Sequence, residues 1–91
     1  MKRAVFALGA IVATPGAVKT IEEYKIDWLT LLHRHVTGDW GDLDEEDKQE
    51  NELSVQKGFR ILSAYGNGDK KLWIITEADR RVTTILRPDE Y

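Results

Sequence analysis

Cysteine is absent from the chain, which removes a disulfide framework, a thiolate metal site and a cysteine nucleophile. Also missing are a Ser-His-Asp order, a phosphate-cradling Walker loop and a dinucleotide fingerprint. No cofactor and no metal ion is therefore expected. No apolar run approaches the roughly 20 residues that cross a bilayer, so a membrane is not expected among the partners. Positive charge is not in excess: 13 Lys+Arg stand against 16 Asp+Glu, a net charge of −3. That balance excludes a general nucleic-acid binder. Internal repeats and low-complexity linkers are missing as well, and 91 residues make one domain, 1–91. A chain of this size buries roughly two thirds of its unfolded surface. Its core is thin, and a second copy of the chain counts among the expected partners.

What is present is a folding sequence. The hydrophobic fraction is 42%, with three tryptophans, a globule rather than a disordered tail. Residues 4–13, after Met1-Lys2-Arg3, have the outline of a short secretion signal. A run of this length fits a buried strand equally well, and the strand reading is preferred. Residues 4–12 are apolar on both faces, which predicts a covered, interior position in a sheet. Gly9 marks a bulge or a close backbone approach. Thr14-Pro15 opens a short helix to about Tyr24, with Val18, Ile21 and Tyr24 facing inward. Asp27 caps a second helix, on which Trp28, Leu31, Leu32, His35 and Val36 share one face. Gly38 closes it. A third helix, from about Leu43 to Lys57, is capped by Asp42 or Asp44 and stopped by Gly58. Its apolar residues are chiefly Leu43, Leu53 and Val55, which makes it a solvated face or one awaiting a partner. Three strands follow, over 59–65, 71–77 and 81–87, with a hairpin turn at Gly66-Asn67-Gly68-Asp69. The predicted fold is α+β, ordered β-α-α-α-β-β-β, with helices on one face of an antiparallel sheet of about four strands.

Charge is unevenly placed. Residues 39–52 hold eight acids and one lysine, a local balance of −7 that leaves +4 elsewhere. A calcium loop starting at Asp42 fails, because Asp47 and Leu53 occupy the glycine and glutamate places. Capping and solubility account for part of the block. The sharper reading is a surface for a basic partner, built by Asp39, Asp42, Asp44, Glu45 and Asp47 with Trp40 in the loop. Trp40 itself is expected as a lid on the core or as an interface anchor. His33 and His35, two apart on a helix, point about 200° from one another and cannot share a metal. His35 is expected as a hydrogen-bonded core histidine. His33 could serve as general acid or base if it lines a cleft. Arg60, Arg80, Arg81, Arg87, Lys70 and Lys71, with Tyr65 and Trp73, could form a basic aromatic face for single-stranded RNA. Solvated strands and charge-protected edges explain them as well.

The segments Ile11-Val12-Ala13-Thr14-Pro15-Gly16-Ala17, Gly38-Asp39-Trp40-Gly41-Asp42-Leu43 and Trp73-Ile74-Ile75-Thr76-Glu77-Ala78-Asp79-Arg80, with Thr83-Thr84-Ile85-Leu86, resemble a family of short bacterial proteins found with plasmids and mobile elements. That resemblance covers almost the whole chain and implies a bacterial cytoplasm, with no activity attached. The architecture, with Gly58-Phe59-Arg60 opening the meander and Tyr91 near its end, is similar to RelE-like and barnase-like ribonuclease toxins. That likeness implies Arg60 and Arg80 holding an RNA phosphate, with His33 or Tyr91 as acid–base group. The acidic balance and the 39–52 block depart from that pattern. The leading expectation is a non-enzymatic accessory protein that binds another protein through the acidic helix and the Trp40 loop. The alternative is a toxin-type ribonuclease acting on RNA.

Overall fold

The computed structural model describes residues 2–91. Four strands, β1 (Ala10–Ala13), β2 (Ile61–Tyr65), β3 (Leu72–Thr76) and β4 (Val82–Leu86), join three helices, α1 (Pro15–Tyr24), α2 (Trp28–Val36) and α3 (Glu45–Lys57). The sheet order is β1-β4-β3-β2, with β1 parallel to β4 and the remaining pairs antiparallel. The α+β class and the order of elements are the predicted ones; the sheet is mixed rather than wholly antiparallel, because β1 reaches β4 running in the same direction. No helix among the described residues is long and apolar enough to cross a membrane.

Local chemistry sets the helix ends. The Thr14 hydroxyl accepts from the Ala17 N–H at 3.2 Å, with Pro15 at the first helical position. Asp27 accepts from the Thr30 N–H at 3.2 Å to start α2. Asp44 accepts from the Asp47 N–H at 2.8 Å to start α3, and Gly58 ends it in a left-handed conformation.

The pleat sends alternate residues to opposite faces. Register places Ile61, Ser63 and Tyr65 beside Leu72, Ile74 and Thr76, and these beside Thr83 and Ile85, on one face. Helices α1 and α2 pack there: Ala17 and Leu32 form a buried cluster with Tyr65, Leu72, Ile74 and Ile85. Leu62, Ala64, Trp73, Ile75 and Leu86 point to the second face.

Two expectations need correction. The N-terminal strand is neither long nor interior: only Ala10–Ala13 pair, at an edge, and all four residues are exposed. The residues before them are diverted over α2. The Val5 N–H donates to the Val36 carbonyl at 2.8 Å, and Phe6 packs against His35 and Trp40. Gly9, at φ +67°, makes the turn into β1, where a Cβ would overlap the Arg81 carbonyl. The inward faces of the first two helices also differ from expectation. Ala17 and Thr20 are buried while Val18, Tyr24 and Trp28 are exposed. The small Ala17 and Thr20 let α1 approach the sheet closely, which turns Val18 toward the margin.

The β2 edge is closed by polar groups from the acidic block. The Asn51 amide donates to the Leu62 carbonyl at 2.7 Å and accepts from the Leu62 N–H at 3.3 Å. The 40–42 loop runs beside Ala64: the Ala64 N–H donates to Trp40 O at 3.3 Å, and the Asp42 N–H to Ala64 O at 2.7 Å. Gly41, at φ +76°, permits this approach, since a Cβ would overlap the Ala64 carbonyl. Asn51 is buried, so Asn51→Ala strands two backbone groups. We expect a loss of about 1–3 kcal/mol, read by urea denaturation.

Candidate functional site

The expected site residues separate into two groups. Four belong to the fold. Asp39 binds Arg34 through two oxygens, at 2.7 and 3.3 Å, and also accepts from the Gly41 N–H at 3.2 Å. The hydrogen bond from Arg34 holds its carboxyl below the usual range. Trp40 is buried; its indole N–H donates to Glu52 at 2.7 Å and its ring stacks on Phe6 at 6.2 Å. Asp42 accepts from the Gly66 N–H at 2.9 Å. Asp44 is the α3 cap. Glu45 and Asp47 are exposed on the first turn of α3.

A groove lies where these elements meet. One stretch, of about 380 Å³, is lined by Leu43, Glu46, Asp47, Glu50, Asn51 and Leu62. An adjoining stretch of about 480 Å³ shares Leu43, Asp47 and Leu62 and continues past Asp42 and Asp44 to Lys71 and Trp73. Five carboxylates thus surround apolar side chains, with Lys71 the single basic residue. None of the five forms an ion pair among the described residues. Such a surface suits a ligand that carries both positive charge and an apolar side chain. Leu43, Leu62 and Glu50 were not singled out in the sequence as site residues, and Trp73 was assigned to a basic face for RNA rather than to an acidic groove. The one sequence signal was Leu43, an apolar residue isolated among acids.

Of the residues of the ribonuclease reading, Arg60 and Tyr91 are brought together, and His33 is not brought to them. His33 is exposed on α2, over the first face. Arg60 donates to the Tyr91 hydroxyl, and the Tyr91 ring meets Trp73 edge-on at 5.7 Å, on the second face. The sheet lies between them. Arg80, at φ +60°, is occupied internally. Its guanidinium donates to the carbonyls of Phe59 at 2.8 Å, Glu77 at 3.1 Å and Ser54 at 3.0 Å, and sits 5.6 Å from the Phe6 ring centroid. It thereby satisfies the negative end of α3. Tyr65 is buried on the first face, opposite Trp73, so the two do not share an RNA-binding surface.

His35 is fully buried, and its hydrogen bonds define its protonation. The Leu8 carbonyl can only accept, so Thr83 donates to it at 2.7 Å. Thr76 then donates to Thr83 at 2.7 Å and accepts from His35 Nε2–H at 2.9 Å. Nδ1 is left to accept from the Ser63 hydroxyl at 2.6 Å. The ring is neutral, and burial pushes its pKa down to about 3. This histidine is a structural link, with both ring nitrogens engaged by Ser63 and Thr76 in the interior.

Because the folded pKa lies below the unfolded value, the unfolded chain binds the proton first on acidification. The contribution is complete above about pH 6.5 and is lost as pH falls toward 3. We expect stability to drop by about 1.4 kcal/mol per pH unit in that window from this group. Between pH 6.5 and 5, above the carboxylate range, His35→Gln should remove most of the slope in urea melts.

Among the described residues no cluster of His, Asp or Glu is grouped to hold a metal ion. Comparison with known proteins finds no matching family model, no matching curated protein and no matching solved structure.

Proposed function

We propose that this chain is an accessory protein that acts by binding another protein, through the acidic groove between α3, β2 and Trp73. The observation that carries the reading is the set of five carboxylates around Leu43, Leu62 and Trp73, none in an ion pair among the described residues, with only Asp42 and Asp44 engaged by backbone N–H groups. Helix α3 supports it: the helix is held to the sheet edge by Asn51, Asn51 and Ser54 are its buried residues, and its other faces are largely charged. Such a helix contributes little apolar burial to its own fold, consistent with a face shaped for a partner. The favoured occupant is a basic segment with an apolar anchor, arriving by electrostatic steering. The Trp40 loop takes part as the support that fixes Asp42 and α3 in place. The ribonuclease alternative has less support: Arg60 meets Tyr91 on the second face, but the Arg80 guanidinium is taken up by backbone carbonyls and His33 stands on the opposite face. The link to mobile elements and to the bacterial cytoplasm belongs to the same proposal and rests on the resemblance alone.

The test uses carboxylates that take no part in capping. Glu46→Lys with Glu50→Lys should remove a co-purified protein partner while leaving the melting temperature within a few degrees. Binding to that partner should also weaken steeply between low and physiological salt. A partner retained by the double variant, or binding indifferent to salt, would count against the reading.

A further inference from the structure

Ile11, Val12, Val18 and Trp28 are residues that periodicity assigns to the interior. They are instead 45%, 46%, 41% and 39% exposed, and all four line one groove of about 340 Å³. Glu22 is its single charged lining residue. The groove touches Ile11, Val12 and Ala13 in succession, although a strand sends successive side chains to opposite faces. It therefore follows the outer edge of β1.

That edge is open. The Ala10 N–H donates to Arg81 O at 2.9 Å and the Thr14 N–H to Ile85 O at 3.0 Å, so the even-numbered residues of β1 face β4. Ile11 and Ala13 turn their N–H and C=O groups outward, and no hydrogen bond reaches these groups among the described residues. Proteins usually blunt such an edge with charge, proline or a covering loop. The β2 edge is treated that way, by Asn51 and the 40–42 loop. The β1 edge carries no charge and no cover.

We infer that β1 pairs antiparallel with β1 of a second copy about a two-fold axis at Val12, joining two sheets into one of eight strands. This axis sets Ile11 opposite Ala13 in both directions, giving about four N–H···O bonds, with Val12 facing itself in the close, non-hydrogen-bonded place. The edge is self-complementary under that operation, as a closed two-fold interface requires. Charge on the adjoining helix agrees. Lys19 lies in the first half of α1 and Glu22 and Glu23 in the second, so antiparallel copies oppose lysine to carboxylate. Val18 and Trp28 cover the joined strands. The inference is independent of the acidic groove, which lies at the opposite margin of the sheet.

The test is the oligomeric state of the full chain by sedimentation equilibrium, from micromolar to millimolar concentration. Twice the chain mass is expected. Ile11→Asp should weaken association by at least ~100-fold, since a carboxylate would be buried in a groove whose one charged residue is Glu22, with no basic partner, with native circular dichroism retained. Val12→Cys, in a chain with no other cysteine, should give a single disulfide-linked dimer on oxidation. Leu29→Cys, 63% exposed and outside the groove, should not. A monomer at every concentration overturns the inference, including a monomer that binds a foreign extended peptide. A dimer that survives Ile11→Asp, or that never cross-links through Cys at position 12, overturns it as well.

Discussion

The hydrogen-bonded chain from Ser63 through His35, Thr76 and Thr83 to the Leu8 carbonyl crosses the interior and fixes the relation of five segments. It ties α2 to β2 and β3, β3 to β4, and β4 to the N-terminal residues that enter β1. The four side chains are buried, and each donor meets an acceptor only with the imidazole neutral and its proton on Nε2. An apolar core could slide by a fraction of a residue at little cost. A buried polar chain of this kind cannot, because any shift leaves a donor without a partner. The aromatic roof of Phe6 and Trp40 over the ring keeps water from offering replacements.

Around that seam the two sheet margins differ in a way that gives the molecule its two surfaces. At β2 the outward backbone groups are met by Asn51, Trp40 and Asp42, and the same segment projects the carboxylates of the acidic groove. The acidic block therefore closes an edge and presents a charged face at once. At β1 nothing comparable happens, and apolar side chains stand beside unpaired peptide groups. The chain ends are tied nearby: Glu90 accepts from Thr14 and from the Gly16 N–H, at 2.6 and 3.0 Å. The Thr14 hydrogen bond holds the Glu90 carboxyl below its usual range. This latch keeps the start of α1 against the end of the meander.

Much of this was legible in the residues themselves. Thr14-Pro15, Asp27, Asp44 and Gly58 mark helix ends by chemistry that acts over three or four residues, and all appear where that chemistry places them. Alternation in 59–65 and 81–87 marks strands, which form over Ile61–Tyr65 and Val82–Leu86, and His35 on an apolar helix face marks a core histidine. The candidate site was legible only in part. The acids were visible, but Leu62 and Trp73 join them through strand register, which brings residues far apart in the chain side by side.

Sequence by itself therefore determined the class of fold, the order of its elements and the sign of its charged face. These follow from periodicity, capping and composition, which are short-range properties. Only the tertiary structure decided that residues 4–9 leave the sheet, that β1 is an edge, and that Asp39, Trp40, Asp42 and Asp44 serve the fold. Hydrophobicity says that a residue prefers cover, and it does not say which surface supplies it. Ile11, Val12, Val18 and Trp28 carry the sequence of a core and the positions of a margin, a distinction set by sheet order and by which neighbouring backbone each strand finds.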